Sequence, residues 1–166
     1  MRQFKTFATG ALLGSLVAGP FALAAEPTHS PSRQEEVARK GATVMPFDLM
    51  HTTHFFDDTK SGGIETITAH DRSDKRQTAL IRSHLRAEAK RFSAGDFSDP
   101  AAIHGHDMPG LAELARAGGN LQVRYRELPA GARLSFTSRD PSVIAAVHAW
   151  FAAQRSDHMA HEHFHK

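Results

Sequence analysis

The stretch DKRQTALIRSHLRAEAKRF, residues 74–92, decides the fold class. Leu80, Ile81, His84, Leu85, Glu88 and Phe92 recur at helical spacing, and Asp74 with Gln77 three residues on is a capping-box-like start. Gly95 marks the predicted stop. Upstream lie two β-favouring runs, residues 44–56 and 64–69, joined by a Gly-containing turn over 57–63, which is the grammar of a hairpin.

Downstream the pattern returns. A second hairpin, residues 121–128 and 133–138, turns at Pro129-Ala130-Gly131, and Asp140-Pro141 then opens a helix whose apolar stripe is Ile144, Val147, His148, Trp150 and Phe151. Two short helical turns separate the units, one opened by Asp99-Pro100 and the other by Pro109, closing at Gly118-Gly119. The expectation is an α+β fold: two ββα units (ββαββα) forming an antiparallel sheet with two helices packed on one face. Each helix carries one histidine on its apolar side, His84 or His148, so a duplicated unit is suggested.

The amino terminus reads differently. Arg2 and Lys5 precede an apolar run over residues 7–23 and the triplet Ala22-Leu23-Ala24, the three regions of a signal peptide in order. The organisation expected is a signal peptide over 1–25, a linker over 26–43, one α+β domain over 44–157, and a His-rich tail over 158–166. Signal removal lowers Lys+Arg from 20 to 18 against 18 Asp+Glu, so the mature chain is formally neutral. A neutral surface argues against nucleic acid as partner, and no stop-transfer pattern supports membrane insertion after signal removal. The expected location is periplasmic or secreted.

No cysteine is present, which excludes thiol chemistry and thiolate metal sites, whereas histidine is abundant at 12 residues. Three groups of donors stand out. His104, His106, Asp107 and Met108 fall within five residues around a turn; two imidazoles, a carboxylate and a thioether there suit copper, since thioether favours Cu(I) and imidazole binds both oxidation states. In the tail, His158, His161, His163 and His165 can chelate divalent first-row metals in almost any conformation. Finally, His54 on the first strand and His84 and His148 on the helices face the apolar side, where each is either a satisfied core histidine or a ligand.

The runs MPFDL at residues 45–49, GDFSDP at 95–100 and IHGHDMPGL at 103–111 resemble those of a family of small exported bacterial proteins, and the resemblance spans 44–157. Members of that family are sometimes labelled aspartate carbamoyltransferase. The residues do not support that activity here, because the chain is about half the needed length and lacks the Ser-x-Arg-Thr-Arg phosphate-binding run. What the resemblance implies is one compact domain.

Three functions are compatible with these residues. The first is a metal-binding protein that buffers, carries or senses copper, with zinc or nickel as alternative ions. A second is a non-catalytic His-rich domain that responds to acid or binds another envelope protein. The third is a small hydrolase or lyase, for which no Gly-x-Ser-x-Gly elbow, phosphate-cradling loop or His-Glu-x-x-His helix is present.

Overall fold

The structure is a computed structural model that describes residues 32–158. The signal-peptide segment and His161, His163 and His165 of the tail lie outside the described residues. Four strands, β1 (Thr52–Thr59), β2 (Gly62–Ala69), β3 (Gln122–Leu128) and β4 (Gly131–Thr137), form one antiparallel sheet in the order β1-β2-β4-β3. Its helices are α1 (Arg33–Val44), α2 (Lys75–Ser93), α3 (Ser98–His104), α4 (Leu111–Arg116) and α5 (Pro141–His158). The α+β class with two antiparallel hairpins is as expected, and no helix among the described residues is long and apolar enough to cross a membrane.

Register explains the layering. Phe56, Glu65, Leu134 and Tyr125 stand in one cross-strand row, and His54, Ile67, Ala132 and Glu127 in the next, so alternation aims both rows at one face. Helix α2 covers that face over β3 and β4, and α5 covers it over β1 and β2. Each unit's helix therefore roofs the other unit's hairpin. Trp150 of α5 sits at the centre, its ring 5.3 Å from Phe136, 5.7 Å from Phe97 and 5.8 Å from Phe92 in edge-to-face contacts.

The helix ends follow from local chemistry. Asp74 caps α2 by accepting from the Gln77 amide at 2.8 Å. The Gln77 side chain does not return to its own cap; it holds both backbone groups of Asp48, which fixes the loop ahead of β1. That loop contains one 3-10 turn, Leu49–His51, so the first strand begins at Thr52 and not at residue 44. Helix α3 opens one residue before Asp99, because Asp96 accepts from the Ser98 amide at 3.0 Å. In the same way α4 begins at Leu111 after Gly110 in the left-handed region, two residues later than Pro109 suggested.

The linker expectation is corrected at its carboxyl end. Residues 33–44 form α1, started by a capping box in which Ser32 and Glu35 satisfy each other's backbone amides. Val37, only 1% exposed, joins the core, and α1 packs against α3 and α5. The folded domain thus begins near Ser32. At the other end, residue 158 belongs to α5 and not to a separate tail.

Gly63 is where helix and sheet come closest: a Cβ there would overlap the Phe151 ring. Gly63→Ala is expected to cost about 1–3 kcal/mol of stability through overpacking. Chemical denaturation of the two proteins at one pH checks this.

Candidate functional site

A cavity of about 50 Å³ lies between the sheet and the ends of α3 and α5. Four histidines line it, and each reaches it by a different route. His54 projects from the inner face of β1, beside Ile67 in the register. His84 comes from α2, while His104 and His158 are the last residues of α3 and α5. Glu65, Glu88 and Asp99 add carboxyl groups, and Met45, Trp150 and Gln154 complete the polar and soft lining.

The tightest geometry is at the two helix ends. His104 Nε2 and His158 Nε2 stand 3.2 Å apart. His104 Nδ1 lies 2.7 Å from Asp157 Oδ2, and the same carboxylate accepts from Arg33 Nε at 3.1 Å and Nη2 at 2.6 Å. Arg33 Nη2 also donates to the His104 carbonyl at 2.7 Å. With Nδ1–H donated to Asp157, a neutral His104 presents Nε2 as an acceptor, and His158 fills it with its own Nε2–H. His54 lies with its ring centre 5.6 Å from that of His158, and its buried Nε2 has no partner.

Charge in the cavity is set by desolvation. Burial, with His158 and His84 nearby, pushes His54 down to about 3, and burial with His104 alongside takes His158 to about 4. For His104 burial also wins, outweighing the Asp157 hydrogen bond that favours its charged form. Burial opposes ionisation of Asp157 as well, yet hydrogen bonds from Arg33 and His104 hold its carboxyl below the usual range. On the facing wall burial lifts Glu65 to about 7; burial and then the Asp99 carboxylate lift Glu88 to about 8. Asp99 itself is paired with Arg91 Nη1 at 2.5 Å. Burial thus disfavours the charged forms of the His54, His104 and His158 imidazoles and of the Glu65 and Glu88 carboxylates, while Arg33–Asp157 and Arg91–Asp99 stand as ion pairs.

The residues singled out from the sequence separate clearly. His104, His158, His54 and His84 meet at the cavity, although the Phe47 ring, 6.0 Å from His54 and 5.6 Å from His84, keeps the last two apart. The loop after α3 does not converge as a ligand set. Gly105, at φ +99°, turns the chain so that His106 and Asp107 are exposed, while Met108 at 6% exposure enters the core. His148 is a satisfied structural histidine: its Nε2 lies 3.0 Å from the Thr59 carbonyl and 2.9 Å from that of Gly62, which ties down the first hairpin turn. Among the described residues no group of three or more His, Cys, Asp or Glu side chains is placed so that it could hold a metal ion.

Glu65, Gln154, Asp157 and Arg33 were not legible as site residues. Glu65 had a signal, since it alternates in phase with Ile67 and Ala69 on a strand whose inward face is otherwise apolar. Gln154 and Asp157 follow Trp150 on α5 and mark a polar end to its apolar stripe.

Glu65 supplies a test of this environment. Its folded value of about 7 lies above the ordinary 4.5, so the stability it contributes is present below about pH 4.5 and is lost as pH rises through about 7. Glu65→Gln is expected to melt higher than the parent at about pH 9, with the gap shrinking on acidification; thermal melts of both proteins across this range decide it. No family model, no curated protein and no solved structure matches the chain, so the site is read from its own residues.

Proposed function

We propose that this chain is an exported metal-binding protein, periplasmic or secreted, that buffers, carries or senses copper, and that His54, His104 and His158 are its ligands. The observation that carries the reading is the 3.2 Å separation of His104 and His158 Nε2 at the cavity wall. Two imidazoles on one tetrahedral ion, with bonds of about 2.0–2.1 Å, place their nitrogens about 3.3 Å apart. Without the ion one hydrogen bond fills that gap. The unpartnered Nε2 of His54, whose ring centre lies 5.6 Å from that of His158, is the third donor in this reading.

Three further features agree. Only neutral imidazole can ligate, and burial keeps these rings neutral. Asp157 orients His104 through Nδ1, which is the usual outer-shell partner of a ligating histidine. Met45 adds a thioether to the lining, a combination with imidazole that favours copper over harder ions.

The experiment uses the mature chain carrying His161→Ala, His163→Ala and His165→Ala, so that the tail cannot mask the cavity. Trp150 is the sole tryptophan and lines the cavity, so its fluorescence reports Cu(I), the oxidation state that suits tetrahedral imidazole and thioether coordination, arriving there. One equivalent of copper is expected to quench it. Adding His104→Ala should abolish that binding, and Asp157→Asn should weaken it roughly 10–100-fold, whereas His106→Ala should leave it as it was. Equal copper affinity with and without His104 would refute the assignment.

A further inference from the structure

Strand β3 lies at the edge of the sheet, paired only with β4 among the described residues. Gln122, Arg124 and Arg126 are exposed along it, on the face opposite the one that α2 and α5 cover. Arg126 stands directly across from Arg133 of β4, and Arg124 lies one alternation along, so three guanidinium groups share one patch. Like charges directly opposite one another weaken a sheet. Among the described residues no carboxylate pairs with any of the three: Glu127, the acid of this strand, faces the other way and is held by Arg82 at 3.6 Å and Arg86 at 2.5 Å. Asp57 shares a row with Arg124 but stands on β1, three strands off. Arg124 donates to Gln122 Oε1 at 3.5 Å, and Arg133 Nε is buried with no hydrogen-bond partner. Residues 122–139 thus concentrate arginine, at 124, 126, 133 and 139, against Glu127 alone, in a mature chain that is formally neutral.

An edge strand offers unpaired N–H and C=O groups to any extended chain. Two copies of this protein are barred from that edge, because antiparallel pairing of β3 with β3 sets arginine against arginine in every register centred on the patch. An acidic strand meets the opposite situation. Side chains on one face of a strand recur about every 6.4–6.8 Å, so acids at alternate positions oppose Arg124 and Arg126 together. The positions between them fall on the helix side, beside the half-buried Val123 and Tyr125. We propose that β3 is a docking edge for an extended acidic segment of another protein, which adds as a further strand with carboxylates opposite Arg124 and Arg126 and with Arg133 reinforcing the field from the next strand. The inference does not depend on the metal-binding reading.

The probe is a short fluorescein-labelled peptide alternating aspartate and valine, titrated into the mature chain at low salt and about pH 8, where histidine is neutral. Saturable 1:1 binding by anisotropy, slowed hydrogen exchange at β3 amides, and weakening with added salt are expected. A peptide alternating lysine and valine should not bind, and N-methylation of alternate amides on the acidic peptide should cost roughly tenfold or more. Arg124→Glu combined with Arg126→Glu should also weaken the acidic peptide roughly tenfold or more. Since that change sets an acid opposite Arg133, the variant should melt no lower than the parent, which separates lost binding from lost folding. No saturable binding, or unchanged affinity in the charge-reversed protein, overturns the proposal. Equal affinity for the N-methylated peptide or for polyphosphate, with β3 amides unprotected, overturns the added strand in favour of a surface for polyanions in general.

Discussion

Asp157 ties the molecule together at its functional end. One carboxylate near the end of α5 receives the Arg33 guanidinium from α1 and orients His104 at the end of α3. The Arg33 contact to the His104 carbonyl closes the ring of interactions. A half-exposed ion pair contributes little by itself. Here it is coupled to a buried imidazole, and removing the carboxylate would leave His104 with an unsatisfied N–H in a desolvated place, which costs about 1–3 kcal/mol. The N-terminal helix is thus held in place through the same group that sets the tautomer of a candidate ligand, and the two tasks cannot be separated.

How much of this was legible depends on the length scale. Helix α2, helix α5 and both hairpins announce themselves because their apolar residues repeat at the period of the element, and Asp74, Gly95 and Asp140 mark ends that the structure respects. The sequence of α1 reads as linker because Val37 is its one large buried apolar side chain; Arg33 docks it by polar contacts that leave no periodic trace. Residues 44–51 read as part of the first strand for a similar reason. Met45 and Phe47 are buried, yet the loop that carries them is held by the Gln77 amide and not by a ladder.

The site shows the same limit more sharply. Each of His54, His84, His104 and His158 could be picked out as a residue, but the partners are separated by 53 and 54 positions at His104–Asp157 and His104–His158. No local pattern links them. The compact run from His104 to Met108 reads as a ligand set because neighbours in sequence can converge cheaply, and one glycine undoes that: the turn at Gly105 leaves His104 inside and sends His106 out. Nearness along a chain is a good guide to convergence only where the backbone conformation is known.

The energetic question is why a small domain keeps such a cavity. Orphaned buried groups at His54, Trp150 and Gln154 cost about 1–3 kcal/mol each, against a net stability of typically about 5–15 kcal/mol for a domain. Glu65 and Glu88 add to that cost whenever they ionise. Apolar residues of similar volume would remove the penalty and pack against Phe56, Leu85 and Phe92, which already line the same space. A fold maintained only for its own stability would have made that exchange. Retention of donors and acceptors on four separate elements, β1, α2, α3 and α5, makes sense if something bound there completes their valences.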